Sequence, residues 1–279
     1  MKIGIIGTGN MGSVLTASLI ESSAIHASRL MVTNRTLTKA ERLKNAYPKL
    51  RVGSSAEEVF QFADIVFICV KPHEFFNLLS ENKAVIAKHK LIVSITSPIS
   101  CEQLESLVDC NVARAIPSIT NRALSGSSLI SFGDRCHTEY REKLLEIMSF
   151  ISKPVLIEEC TTRVSSDLAS CGPAFMGFLL QCFINSAVSE TDISKAQATT
   201  LATEMIIGMG KLLEKEVYTL PALIQKVCVK GGITGEGIKI LKDHEHLFDA
   251  VIKKTHEKYH EDCEKITSQF QVKEELPET

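Results

Sequence analysis

The chain has 279 residues, with 31 Lys+Arg against 33 Asp+Glu, a formal net charge of −2, 44% hydrophobic residues and no Trp. This is globular composition for one or two domains, and without a basic stripe interleaved with aromatics it argues against a nucleic-acid partner. The longest apolar runs, 62–70 and 175–188, are broken by Asp64 and by Gln181, Asn185 and Ser186, so no membrane partner is expected, since a spanning helix takes about 20 apolar residues.

The first half alternates short β-branched runs with helical stretches. Strands are expected at 2–6, 30–33, 65–70, 91–95, 112–115 and 127–131, and helices at 11–22, 37–45, 56–62, 75–87, 100–108 and 138–150. Such βαβ alternation implies an α/β fold, a doubly wound Rossmann-type parallel sheet with helices on both faces. Beyond about residue 160 the pattern is helical throughout, at 161–189, 193–214, 220–229, 235–242 and 247–268, which predicts an all-α domain. The expected organisation is a nucleotide-binding domain over 1–157, a helical dimerisation and substrate domain over 158–268, and a disordered acidic tail over 269–279. Nine cysteines without a C-x-x-C pair, mostly among apolar neighbours, read as free thiols of a cytoplasmic protein rather than disulfides or a zinc site.

Gly7-Thr8-Gly9-Asn10-Met11-Gly12 follows the first strand directly and opens a helix, the setting in which G-x-G-x-x-G marks dinucleotide binding. Gly7 permits the tight turn, Gly9 lets the backbone approach a pyrophosphate, and Gly12 lets helix and strand pack closely. The second strand ends in Thr33-Asn34-Arg35-Thr36, without the carboxylate that NAD users place on the ribose hydroxyls. Arg35, with Asn34 and Thr36, offers charge-assisted hydrogen bonds to a 2′-phosphate, so NADPH/NADP is the expected cofactor. Val70-Lys71-Pro72 ends the third long strand, where doubly wound sheets bind ligands. Lys71 is there either as a cofactor contact or as the residue that starts a helix beside Pro72.

The chemistry is narrowed by what is missing. No Tyr is followed four residues later by Lys, and between Arg163 and Lys195 there is no Lys, Arg or His. Alcohol oxidation needs a general base beside the nicotinamide, whereas an imine arrives already protonated and accepts hydride with little help. C=N reduction, or no chemistry, is the expectation; another small dehydrogenase is disfavoured.

Gly7–Gly12, Asn34-Arg35-Thr36, Ala63-Asp64-Ile65-Val66 leading to Val70-Lys71-Pro72, Ser94-Ile95, Arg114-Ala115-Ile116-Pro117, Gly126, Cys171-Gly172-Pro173-Ala174-Phe175 and Gly231-Gly232-Ile233-Thr234 stand in one order along the chain. This set resembles the pyrroline-5-carboxylate reductase family, and within it the late-competence ComER-type branch, over roughly residues 1–265. The resemblance implies a Rossmann domain followed by a helical dimerisation domain, NADPH as hydride donor, a small-molecule substrate, and a homodimer or an oligomer of dimers whose pocket is shared between subunits. Apolar residues 175, 178–180, 183, 184 and 188 suit that role, making a helix too apolar for solvent. Gly172-Pro173 is expected to break or kink this helix at its start. Cys171 and Gly172, with Gly231, Gly232 and Thr234, are the candidate substrate contacts. Thr234 is the candidate catalytic hydroxyl, although the Gly231–Thr234 loop also reads as a plain turn between helices.

Departures from the family pattern fall on the substrate side. Ala169, Val229 and Ile233 stand where the family carries hydroxyls, and Ala56 where it has Asn. A reductase of 1-pyrroline-5-carboxylate is the first expectation, and a dinucleotide-binding accessory protein with weak or no activity is the second. His256-Glu257-Lys258-Tyr259-His260 spells H-E-x-x-H, with Cys263 one turn on, but its place in a charged terminal helix beyond the expected pocket reads as a solvated face and not a metal site. Cys171 reads as a packed thiol before a nucleophile, having no His near it in sequence.

Overall fold

Ile3, Ile5 and Ile6 cannot share one side of a strand, and each finds a core. Ile3 and Ile5 join one apolar cluster and Ile6 the other. The computed structural model describes residues 1–271. Its sheet places β1 (Ile3–Ile6) beside β2 (Leu30–Thr33) and β3 (Arg51–Val52) on one side. On the other lie β4 (Ile65–Ile68), β5 (Leu91–Ser94), β6 (Asn111–Ile116), β7 (Ser127–Phe132) and β8 (Lys153–Leu156). The spatial order is β3-β2-β1-β4-β5-β6-β7-β8. Helices α1 (Asn10–Glu21), α2 (Leu37–Ala46), α3 (Ala56–Phe62), α4 (Phe75–Asn82), α5 (Cys101–Leu107) and α6 (Thr138–Ser149) connect the strands. Because helices cover both faces, β1, β4 and β5 are buried at every position and read as unbroken apolar runs.

Three features differ from the sequence expectation. The sheet is mixed, since β6 and β7 pair antiparallel; the chain between them holds a short 3₁₀ turn, Ile119–Ala123, and no crossover helix, so it returns in the opposite direction. Strands β3 and β8 are additional. The first has two residues and no period to detect, and the second contains Pro154, which an edge strand tolerates. The helix around Gly172 is not broken: α7 (Thr162–Ser166) runs through a π turn, Asp167–Cys171, into α8 (Gly172–Glu190), and Gly172 keeps helical angles. The wider turn absorbs the hydrogen bond that Pro173 cannot donate.

The sheet ends close to the expected 157/158 boundary, but the chain forms two compact units that divide elsewhere: residues 1–173 with 254–271, and residues 174–253. In the first, the end of α12 (Leu247–Gln271) returns to the sheet domain. Ile266 joins the core beside Phe75 and Leu79, and Phe270 meets Phe76 edge to face at 5.5 Å. Residues 269–271 of the expected tail are thus the last turn of a helix, and 272–279 lie outside the described residues. The second unit holds most of α8 together with α9 (Lys195–Glu214), α10 (Leu220–Val227) and α11 (Ile233–Lys242) around a small core of Ile184, Ala198 and Ala202. Phe178 and Phe183 are 69% and 65% exposed. Contrary to the sequence expectation, the helical run Glu159–Glu190 is long and apolar enough to cross a membrane by length and composition. The Phe, Leu, Met, Ile and Val residues around its polar breaks outweigh them.

Candidate active site

β1 and β4 run parallel, but the strand order reverses between them, so the loops leaving their carboxyl ends diverge to form a crevice. The loop after β1 is held by short contacts. Gly7, at φ +99°, donates its N–H to the Thr33 carbonyl at 2.9 Å, and a Cβ there would lie 2.6 Å from the Cys69 carbonyl oxygen. Thr8 N–H donates to Asn34 Oδ1 at 3.0 Å, and Asn34 Nδ2 donates to the Thr36 carbonyl at 3.1 Å, joining this loop to the end of β2. A Cβ on Gly12 would collide with the Gly7 carbonyl oxygen, so only glycine allows α1 to sit this close.

The same loop has the properties a dinucleotide pyrophosphate requires. Gly9 caps α1 without a side-chain bond, leaving first-turn amides with no intrahelical acceptor. A Cβ at Gly9 would meet nothing within 4 Å, so the space above the loop is open. One residue before Gly9, the Thr8 hydroxyl is buried with no partner among the described residues.

Arg35 is 88% exposed and pairs with Glu74 at 2.9 Å. Lys71 begins the 3₁₀ turn Pro72–Glu74, and its N–H donates to Glu74 Oε2 at 3.1 Å. The structure therefore gathers Gly7–Gly12, Asn34–Thr36 and Val70–Pro72 at the carboxyl ends of three neighbouring strands. It also adds Glu74, which sequence reasoning missed because it follows the strand by six residues and matches no motif.

A second cleft, of about 320 Å³, lies in the same unit where the chain leaves β5. Ser97, Pro98, Arg163, Cys171, Thr255 and Tyr259 contribute to its wall. Arg163 Nη2 donates to Asp167 Oδ1 at 2.9 Å and lies 3.3 Å from Cys171 Sγ. Asp167, 2% exposed, also accepts from Thr255 Oγ1 at 2.8 Å, and His256 Nε2 stands 3.8 Å from it. Tyr259 donates to the Ser97 carbonyl at 3.3 Å; burial first, and then its hydrogen bond with Cys263, pushes its hydroxyl up to about 12.

Arg114, fully buried on β6, holds the cleft's base. It donates to the Ser97 and Ile99 carbonyls, to both Glu159 oxygens, and to Thr162 Oγ1 at 2.6 Å. The H-E-x-x-H helix is thus not simply a solvated face beyond the pocket, since the 255/259 side of α12 lines this cleft. Among the described residues no group of three or more His, Cys, Asp or Glu is arranged to hold a metal. The signal for this docking was present as a stripe at 259, 263, 266 and 270 in an otherwise charged helix.

The candidate substrate residues are divided between the units. Cys171 and Gly172 belong to the first; Gly231, Gly232 and Thr234 belong to the second. Gly231 takes φ +74°, Gly232 caps α11, and Thr234 is already in the first turn of that helix, which starts at Ile233, two residues ahead of the expected 235.

A Rossmann sheet with a glycine phosphate loop, followed by a helical unit with an exposed apolar surface, defines a two-part NADP oxidoreductase architecture. Residues 2–98 match the family model described as NADP oxidoreductase, coenzyme F420-dependent, and residues 159–264 match pyrroline-5-carboxylate reductase dimerisation. The chain is 52% identical to ComE operon protein 4 of Bacillus subtilis (strain 168) over 98% of this chain and 100% of that one. It is 29% identical to pyrroline-5-carboxylate reductase 3 of the same organism, over 92% and 95%. Its fold is similar to the crystal structure of Plasmodium falciparum pyrroline carboxylate reductase with NADP bound, at TM-score 0.81 and 22% identity over 97% and 98% of the two chains. The chain belongs to the pyrroline-5-carboxylate reductase family, on its ComER-type branch. The apolar helix through 159–190 lies within the dimerisation match.

Proposed function

We propose that the protein is an NADPH-dependent reductase that delivers hydride to the C=N bond of 1-pyrroline-5-carboxylate or a related cyclic imine, working in the cytoplasm as a homodimer. The observation that carries this reading is the β1–α1 loop: open space above Gly9, free first-turn amides and a buried, unpartnered Thr8 hydroxyl. NADPH supplies the hydride. Gly7–Gly12 hold the pyrophosphate, and Arg35 with Thr36 holds the 2′-phosphate. Lys71, exposed at the crevice, adds positive charge. Cys171 and Gly172 in one unit, and Gly231, Gly232 and Thr234 in the other, are each proposed as substrate contacts, the Thr234 hydroxyl for the ring nitrogen or carboxylate. A protonated imine needs no enzyme base, which fits a helix carrying no Lys, Arg or His between Arg163 and Lys195.

A second reading is favoured by particular residues. Ala169, Val229 and Ile233 offer no hydroxyl, and each missing bond to a charged group costs about 1.5–3 kcal/mol. A dinucleotide-binding accessory protein with little turnover would need none of them. The two readings separate when NADPH oxidation with 1-pyrroline-5-carboxylate is measured beside calorimetric titration of NADPH. Turnover of about 1–10³ s⁻¹ supports the reductase, tight binding without turnover supports the accessory protein, and absence of NADPH binding refutes both.

A further inference from the structure

We infer that Glu74 weakens and tunes 2′-phosphate recognition by competing for the Arg35 guanidinium. The inference rests on the NADPH reading above. Arg35 follows β2 and Glu74 follows β4, and β1 lies between these strands. Their 2.9 Å ion pair therefore crosses above the exit of β1, where the phosphate loop begins.

The two partners are not equally fixed. Glu74 is anchored, its second oxygen accepting the Lys71 N–H at 3.1 Å, and its side chain is 30% exposed. Arg35 is 88% exposed and gives Glu74 one arm of its fork. Arg35 is accordingly the partner that moves, and its exposed side chain leaves its remaining N–H groups open to solvent.

A 2′-phosphate monoester carries about −1.5 to −2 charges near neutral pH. Bound to the same guanidinium, it must share that charge with the Glu74 carboxylate and sit close to a fixed negative group. A dinucleotide lacking the 2′-phosphate meets neither cost. Glu74 thus lowers affinity for NADPH and leaves that for NADH almost untouched, narrowing the preference that Arg35 creates.

The test is calorimetric titration of NADPH and of NADH into the full chain, comparing wild type, Glu74→Gln, Arg35→Ala and the double variant, with far-UV circular dichroism to show that each is folded. Gln keeps an oxygen for the Lys71 N–H and removes the charge. Glu74→Gln should tighten NADPH about three- to fivefold, the scale of one exposed ion pair, and change NADH by less than about twofold. The gain should vanish in the Arg35→Ala background.

If Arg35→Ala weakens NADPH selectively but Glu74→Gln leaves it unchanged or weaker, the role of Glu74 is overturned and the cofactor reading stands. Equal tightening of both nucleotides also overturns it, since that is a general charge effect. If Arg35→Ala weakens both nucleotides alike, the assignment of Arg35 fails and the inference falls with it.

Discussion

Two glycines of the phosphate loop should both lose NADPH affinity on substitution by alanine, but only one of them should lose stability. Gly9 has φ −73°, a conformation alanine adopts freely, and an added Cβ meets no atom within 4 Å. As an N-cap, Gly9→Ala forfeits about 0.5–1 kcal/mol and regains about 0.4–1 kcal/mol by restricting the unfolded chain. Net stability should therefore stay within about 0.5 kcal/mol of wild type, a melting shift of at most about 2 °C. The methyl group would nonetheless occupy the space a pyrophosphate needs to reach the loop amides. Losing two charge-assisted hydrogen bonds at about 1.5 kcal/mol each weakens NADPH about a hundredfold. Gly12→Ala places its Cβ on the Gly7 carbonyl oxygen and 3.2 Å from Cys69 Cβ. Helix α1 must shift, at about 1–3 kcal/mol, so stability and binding fall together. Thermal melts followed by circular dichroism, with calorimetric titration of NADPH, measure both. A Gly9→Ala protein that melts like wild type and binds NADPH within threefold of it would refute the claim that a pyrophosphate approaches this loop.

Two further predictions concern stability. Arg114→Met should cost about 3–4 kcal/mol, because the Ser97 and Ile99 carbonyls and the Thr162 hydroxyl lose a charged donor at about 1.5 kcal/mol or more each, partly offset by the apolar replacement. Glu159→Gln should cost under about 1 kcal/mol because Glu159 is half exposed; with no Trp in the chain, urea unfolding is read by far-UV circular dichroism, and equal losses in the two variants would contradict this division. Burial pushes the Cys101 and Cys136 thiols up to about 11 and Cys110 up to about 12, so these groups bind protons more strongly folded than unfolded. Their contribution is complete below the ordinary thiol value near 9 and is lost as pH rises through 11 to 12. The urea midpoint should fall between pH 9 and 11, and a flat profile would show that these thiols are not shielded from water in solution.

The fold was legible where one local rule decided the outcome. The expected strand 30–33 matches β2, and the expected 65–70 covers β4 and overruns its end by two residues, because burial on both faces leaves a continuous apolar run. The loop 7–12 was legible because glycine is demanded twice, at Gly7 by a positive φ and at Gly12 by contact with a carbonyl oxygen. Strand β8 was not, since an edge strand with an exposed face and a proline shows neither alternation nor an apolar run. The antiparallel return of β7 depended on a missing helix, which no residue announces. Arg35 was legible as a cation at the end of β2, but its partner Glu74 was not, because sequence separation hides a pair joined only by strand order.

The substrate side is harder to read for a related reason. Asp167 is a carboxylate with almost no water contact, and burying such a charge is tolerable only with donors around it. Those donors come from two places: Arg163 one helical turn earlier, and Thr255 on α12, 88 residues away. The interactions that make Asp167 tolerable are therefore the ones that dock α12 beside α7. Ser97 is tied into the same arrangement from below by Arg114 and from above by Tyr259. Cleft shape and helix docking consequently share one network, and a change to any member alters both. Positions 169, 229 and 233 contribute no side-chain hydrogen bond to this network. That is why the departures read in the sequence as losses, while the structure shows a buried carboxylate, with its two donors, two residues before one of them, Ala169.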